Sequence, residues 1–142
     1  MAVVYFDASA LVKLVVEESG SDLAARLWDR CDAALSSRLG YVEVCSALAA
    51  SRRRDDLSQP ELESALADLD TFWSFVRAVE LTEQVRREAG QLARAHALRG
   101  ADAIHLASAL AVGDSQLLMA VWDRQLAAGA RTSGLAVSPA PT

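Results

Sequence analysis

Four carboxylates interrupt stretches of the sequence that are otherwise apolar. Asp7 and Asp123 each follow a hydrophobic run directly, whereas Glu43 and Asp102 lie on segments with a helical pattern of apolar residues. Buried carboxylates are rare unless they are paired or bind a metal ion, so these positions are chemically informative. Each also has a structural alternative. Asp7 and Asp123 are suited to cap the helices that follow, Asp102 to a first helical turn, and Glu43 to a solvated helix face.

The chemistry of these acids depends on whether their side chains converge. Like charges in a small space raise some pKa values unless a cation neutralises them. Carboxylate oxygens suit Mg²⁺ or Mn²⁺, which retain several waters, better than they suit zinc. A cation held in this way assists hydrolysis of a phosphodiester by activating water. The chain has 19 acidic and 14 basic residues, so it would be nearly neutral without the four acids.

Strands are predicted to alternate with helices, a pattern that favours an α/β domain with a parallel sheet. Ligands of such sheets bind beyond the carboxyl ends of the strands, which is where Asp7 and Asp123 would lie. The predicted strands are Val3–Phe6, Ala33–Ser37, Val76–Leu81, Leu117–Trp122 and Leu135–Val137. The predicted helices are Ser9–Val16, Ser21–Cys31, Leu39–Arg54, Ser58 to about Phe75, Thr82 to about Leu98, Ala101–Val112 and Gln125–Ala130.

Capping residues and chain length define the limits of these elements. Ser58 and Glu61 have the spacing of a capping box, with Pro60 near the first helical position. Gly100 is predicted to end the helix that begins at Thr82. The 142 residues fit one domain, predicted over residues 1–137, and residues 138–142 with their two prolines are predicted to be a loose tail.

Composition and charge exclude several classes of protein. Hydrophobic residues make up 52% of the chain, which is ample for a core, and the net charge of −5 argues against a protein that coats DNA. Two cysteines are too few for a disulfide scaffold, so a reduced setting is expected. The sequence shows neither a signal peptide nor a run long enough to span a membrane, and a cytoplasmic location without membrane attachment is expected.

The four acids lie in segments with recognisable flanks. These segments are VVYFDASALVKL at 3–14, SSRLGYVEV at 36–44, RGADAIHLASA at 99–109 and VWDRQL at 121–126. Together, over nearly the whole chain, they resemble the PIN-domain ribonucleases, specifically the VapC-type toxins of bacterial toxin–antitoxin pairs. The first and third segments are the more specific of the four. The resemblance implies a three-layer fold in which helices flank a central parallel sheet, with a helical hairpin inserted near Ser58–Phe75.

The same resemblance implies an activity and its catalytic residues. The expected activity is a metal-dependent endoribonuclease that leaves a 5′-phosphate and a 3′-hydroxyl. Asp7, Glu43, Asp102 and Asp123 would be the catalytic acids that bind Mg²⁺ or Mn²⁺, with Ser9 in support. Many relatives carry Ser or Thr two residues before the last acid. This chain has Val121 there, so one hydrogen bond at the site is expected to be missing.

Partners follow from the resemblance as well. It implies a VapB-like antitoxin, an RNA substrate, a homodimer, and a heterotetramer or larger assembly with the antitoxin. The aromatic residues Phe72, Trp73 and Phe75 are predicted to belong to the core, with a partner groove as the alternative.

Other polar residues near the acids have open roles. Arg38 and Arg124 neighbour the acidic segments and are candidates for phosphate contacts. Lys13 lies one turn beyond Ser9. His105 shares a helix face with Asp102, and its apolar surroundings predict a buried histidine that hydrogen-bonds a backbone group or a carboxylate.

Two other functions are alternatives to the nuclease. A phosphatase could use Asp7 as its nucleophile, but such enzymes commonly repeat the acid two residues on, where this chain has Ser9. A catalytically silent interaction or regulatory module could keep the fold without the activity. The presence of all four acids argues against loss of function.

Overall fold

A parallel sheet forms the centre of the fold in the computed structural model, which describes residues 1–141. Its strands are β1 (Val3–Phe6), β2 (Ala33–Ser37), β3 (Val76–Val79), β4 (Leu118–Ala120) and β5 (Ala136–Ser138). All neighbours pair in parallel, in the order β3-β2-β1-β4-β5. The chain therefore builds outward from β1 in both directions, and the point where the order reverses lies between β1 and β4.

Helices cover both faces of this sheet. One face carries α1 (Ala8–Val15), α2 (Ser21–Arg30), α3 (Arg38–Arg53) and α4 (Gln59–Trp73). The other carries α5 (Glu83–His96), α6 (Gly100–Ala111) and α7 (Arg124–Thr132). The predicted three-layer α/β architecture is confirmed.

The alternation of side chains along β1 explains why there are two separate hydrophobic cores. Val3 and Tyr5 pack with α5, α6 and α7, whereas Val4 and Phe6 pack with the helices of the opposite face. All four side chains are buried, because β1 is a central strand covered on both sides. Asp7, the next residue, lies at the carboxyl end of this buried strand.

The connection between α5 and α6 differs from the prediction. Gly100 does not end α5; it is the first residue of α6. Helix α5 is closed instead by Ala97, which adopts the left-handed conformation at φ 52° and donates its backbone N–H to Ala93. A glycine is favoured at such a position but is not required, which is why the pattern misplaced the boundary.

The helical hairpin also differs in composition from the expectation. The segment Ser58–Phe75 holds one helix, α4, and its hairpin partner is α3, the helix before it. The predicted capping box is present: the Ser58 hydroxyl accepts the N–H of Glu61 at 3.2 Å, and the Glu61 carboxylate accepts the N–H of Ser58 at 2.9 Å.

The last strand continues one residue into the segment predicted as a tail. Ser138 belongs to β5 and is paired with Ala120, and its carbonyl accepts the N–H of Val121 at 2.9 Å. Thr142 lies outside the described residues. Within residues 1–141, no helix has the length and apolar character needed to cross a membrane.

Gly20 supports the loop that carries Asp123, and its replacement is predicted to destabilise the fold. Gly20 has φ +93°, and a Cβ there would lie 2.7 Å from Nε1 of Trp122. The G20A variant should lose about 1–3 kcal/mol of unfolding free energy in urea denaturation.

G90A is the matched control, because Gly90 lies inside α5 and a Cβ there has open space. It should gain up to about 1 kcal/mol from helix propensity. Equal effects of the two substitutions would contradict the packing role of Gly20.

Candidate active site

Two of the four acids lie at the ends of adjacent strands and cap the helices that follow. Asp7 caps α1 after β1, where its Oδ1 accepts the N–H of Ala10 at 3.0 Å. Asp123 caps α7 soon after β4, where its Oδ1 accepts the N–H of Leu126 at 2.8 Å. The capping interpretation is thus correct for both, and it does not conflict with a site, because each cap uses only one carboxylate oxygen.

The other acids come from the helices on the two faces of the sheet. Asp102 lies in the first turn of α6, and Glu43 lies on α3. Their side chains are partly buried, at 14% and 26% exposed respectively. Neither is a fully solvated surface acid, so the alternative in which Glu43 lies on a solvated helix face does not hold.

Asp7 is the most deeply buried of the four, at 3% exposed. Burial raises the pKa of Asp7 to about 6, while the charge of His105 and hydrogen bonds from Ser9 and Ala10 act in the opposite direction. The negative charge of Asp102 raises it further. Burial also raises the pKa of Asp102, with the charge of Asp123 adding to the effect. Asp7 and Asp123 follow the paired strands β1 and β4, so these two acids lie at the same edge of the sheet.

Arg99 lies in this region but is not among the site residues predicted from the sequence. Its Nε lies 3.3 Å from Oδ2 of Asp102, and its Nη2 lies 3.8 Å from Oδ2 of Asp123. The side chain is 81% exposed, so it lies at the mouth of the site. Its place three residues before Asp102 at the start of α6 is the signal that could have identified it.

The carboxylate of Glu43 is hydrogen-bonded to a histidine. Its Oε1 lies 2.5 Å from Nε2 of His105, and Nδ1 of His105 lies 2.8 Å from the hydroxyl of Tyr5. The side chain of His105 is only 1% exposed. The prediction of a buried histidine bonded to a carboxylate is therefore confirmed.

Ser9 connects Asp7 to the backbone just before Asp123. Its hydroxyl donates to Oδ1 of Asp7 at 2.6 Å and accepts the backbone N–H of Trp122 at 3.0 Å. Val121 itself is buried among apolar side chains. A hydroxyl group therefore bonds the backbone beside Asp123 even though position 121 carries none.

The basic candidates are placed differently from one another. Arg38 forms a two-pronged ion pair with Glu80, and both side chains are exposed. Arg124 is exposed at the start of α7, beside Asp123. Lys13 bonds Glu18 and the carbonyl of Ser19, and its ammonium lies 5.2 Å from the centre of the Trp122 ring, beside Asp123 in the sequence. The phosphate-contact roles of Arg38 and Arg124 remain predictions.

The aromatic group near the end of α4 belongs only in part to the core. Phe72 and Trp73 are half-buried and make edge contacts with Trp28 and Tyr41 respectively. Phe75 is 70% exposed. The prediction of a core role is thus wrong for Phe75, since the chain leaves α4 before this residue and turns it outward.

The donor chemistry of the site fits a hard divalent cation. Its acids are carboxylates that repel one another, and a cation between them would relieve that repulsion. Within residues 1–141, no three side chains of His, Cys, Asp or Glu lie together as a ready-made metal cluster. Asp102 and Asp123 instead direct an oxygen each to Arg99, so a cation would compete with this guanidinium.

Comparisons with known proteins agree with this fold. A family model described as PIN domain matches residues 4–130. Ribonuclease VapC45 of Mycobacterium tuberculosis is 62% identical over 140 residues, which are 99% of this chain and 97% of that protein.

Solved structures share the fold at lower identity. VapC20 of Mycobacterium tuberculosis, described as a sarcin-ricin loop cleaving toxin, has a TM-score of 0.68 at 18% identity and covers 88% of this chain and 93% of its own. VapBC2 of Rickettsia felis, solved bound to a promoter DNA fragment, has a TM-score of 0.65 at 13% identity. The match covers 96% of this chain and 97% of that one. The family model and the 62% identical relative show that the chain belongs to the PIN-domain family. Within that family, its sequence is similar over almost its whole length to a VapC-type ribonuclease.

Burial of Asp7 predicts a particular pH dependence of stability in the metal-free protein. The folded pKa of about 6 lies above the ordinary 3.8, so the folded state holds this proton more tightly than the unfolded state does. The free energy of unfolding should therefore fall as pH rises from about 4 to above 6. D7N removes the charge and keeps an oxygen for Ser9 and Ala10. In EDTA at pH 7.5 it should be about 2–3 kcal/mol more stable than the wild type.

Urea denaturation at several pH values measures this difference. It should shrink below pH 4, where the wild-type carboxyl is also neutral. A stability difference that does not change with pH would show that Asp7 does not experience the burial described.

Proposed function

We propose that this chain is an endoribonuclease of the VapC type that hydrolyses RNA phosphodiester bonds with the help of Mg²⁺ or Mn²⁺. The observation that supports the proposal is that Asp7 and Asp123 follow the paired strands β1 and β4, where the strand order reverses, and that Arg99 lies near both Asp102 and Asp123. Ligands of open parallel sheets bind at such reversal points. The name of the 62% identical relative, a ribonuclease, supports RNA as the substrate.

Each acid has a distinct part in this proposal. Asp7 and Asp123 would hold the cation from the strand ends, and Asp102 and Glu43 from the two helix layers. The cation would supply an activated water and would neutralise charge at the phosphodiester. Ser9 orients Asp7 through its hydrogen bond to Oδ1. Arg99 and Arg124 are exposed beside the acids and can contact RNA phosphates.

We further propose that the chain acts in the cytoplasm with a VapB-like antitoxin. The Rickettsia felis structure, named for both VapB and VapC components, supports such a partner for a protein of this fold. A homodimer, and a heterotetramer or larger complex with the antitoxin, are part of the same proposal.

Cleavage of RNA is predicted to require both the acids and a divalent cation. Partner-free protein, checked by mass spectrometry, is incubated with total cellular RNA in Mg²⁺ or Mn²⁺, with EDTA as control. D102N should reduce cleavage by at least 100-fold, because a carboxylate that would hold the cation is lost, and with it the activation of water and the neutralisation of the phosphodiester. D68N is the matched control, since Asp68 is an exposed acid on α4, and it should cleave like the wild type.

The outcomes separate the competing functions. Cleavage products with 5′-phosphate ends would support water-mediated hydrolysis. Absence of cleavage by the partner-free wild type in either metal would favour the catalytically silent module. Equal cleavage by wild type and D102N would contradict the site. A phosphoryl group trapped on Asp7 would indicate the phosphatase instead.

Arg99 is predicted to contribute to RNA binding once a cation occupies the acids. In R99A, kcat/KM for RNA should fall by roughly tenfold, mainly through KM, because an exposed charge-assisted phosphate contact is lost. Steady-state cleavage of a short RNA measures this change.

R94A provides the control, because Arg94 is an exposed arginine on α5. If Arg99 serves only to neutralise Asp102 and Asp123, R99A would instead bind Mn²⁺ more tightly and leave KM unchanged.

A further inference from the structure

A buried chain of hydrogen bonds crosses all three layers of the fold beside the acids. It begins at Tyr5 on β1, passes through His105 on α6, and ends at Glu43 on α3. Tyr5 and His105 are almost completely buried, and their rings meet edge to face at 5.8 Å. Of these three hydrogen-bonded residues, Glu43 alone reaches toward solvent, and its side chain is 26% exposed.

The chemistry of the three groups sets the direction of the bond to Glu43. An ionised carboxylate can only accept, so Nε2 of His105 carries the hydrogen that Glu43 Oε1 receives. The other ring nitrogen, Nδ1, is paired with the Tyr5 hydroxyl, which can donate or accept. Nε2 is therefore the donor whether the imidazole is neutral or charged. With both nitrogens bonded, the ring is held in one orientation.

Packing alone does not require these polar groups. A leucine or phenylalanine would fill an apolar layer without the cost of burying an imidazole and a phenol hydroxyl. The backbone of α3 also lies close to this histidine. A Cβ on Gly40, one turn before Glu43, would lie 3.6 Å from Cε1 of His105, an ordinary contact, but only 2.7 Å from the Ser36 hydroxyl. The absence of a side chain at position 40 therefore lets the start of α3 pack against the end of β2.

We propose that His105 is a positioning residue whose Nε2–H holds Oε1 of Glu43 and leaves Oε2 as the oxygen that binds the cation. Tyr5 sets the orientation of the ring. This role rests on the proposed function for the identity of what Glu43 binds. Histidine and carboxylate pairs around metal ligands commonly act in this way, and their loss typically costs 10–100-fold in metal affinity.

Two substitutions separate the bond to Glu43 from the bond to Tyr5. In H105Q the amide nitrogen falls near the place of Nε2 and can still donate to Glu43. In H105N the amide falls near Nδ1, so it keeps a partner for Tyr5 but does not reach Glu43. Mn²⁺ binding to each purified protein is measured by electron paramagnetic resonance of the free ion. H105N should bind Mn²⁺ 10–100-fold more weakly than the wild type, and H105Q should lie much closer to it.

A second measurement needs no metal. Nitrogen-15 NMR of the histidine side chains in the metal-free wild type should show the hydrogen on Nε2 of His105. Y5F should alter the Nδ1 signal while leaving the Nε2 hydrogen in place. Urea denaturation of each variant reports stability separately, so a loss of affinity in a variant as stable as H105Q is not a folding effect.

The results distinguish this role from the proposed function. If the wild type binds Mn²⁺ and both H105N and H105Q bind it as tightly as the wild type does, the positioning role is wrong and the nuclease proposal stands. An NMR spectrum in which Nε2 of His105 carries no hydrogen would also overturn the role, even if H105N proved too unstable to study. If the wild type binds no Mn²⁺, the metal-dependent function and the role of His105 fail together.

Discussion

The parallel pairing of β1 with β4 is the contact on which the site depends. Phe6 is in register with Ala120, and the N–H of Asp7 donates to the Ala120 carbonyl at 3.3 Å. This pairing places the first and last acids of the sequence at adjacent strand ends. The Ser9 hydroxyl then bonds both Asp7 and the backbone of Trp122, so the two strand ends are joined beyond the sheet itself.

Bringing like charges to one place has an electrostatic cost that the surrounding groups offset only in part. Arg99 is close to two of the acids, and His105 holds a third and favours the charge on Asp7. The pKa of Asp7 nevertheless remains raised to about 6. The cation of the proposed function would supply the positive charge that these neighbours provide only in part.

Much of the fold could be predicted from local sequence patterns, whereas the four acids of the candidate site were assigned from the motifs around them and stay a prediction. The strand Ala33–Ser37 and the capping box at Ser58 follow from residue type and spacing, and both are observed. The end of α5 could not be placed, since Ala97 takes a conformation that the sequence pattern assigns to glycine. The link from Tyr5 to Glu43 could not be predicted for a different reason. It depends on contacts between segments far apart in sequence, and the Glu43–His105 bond spans 62 positions. Arg99, in contrast, lies only three residues before Asp102, and its spacing could have identified it.

The strand order has a consequence for when the site can form during synthesis. Strand β1 is made first, yet its neighbour β4 is made after both helical layers are largely complete. Until β4 and Asp123 have been synthesised and β4 has paired with β1, one edge of β1 is unpaired and the set of four acids is incomplete. Such distant pairings form slowly compared with local ones. An unfinished chain therefore has no assembled site, which delays any attack on RNA until the domain is nearly whole.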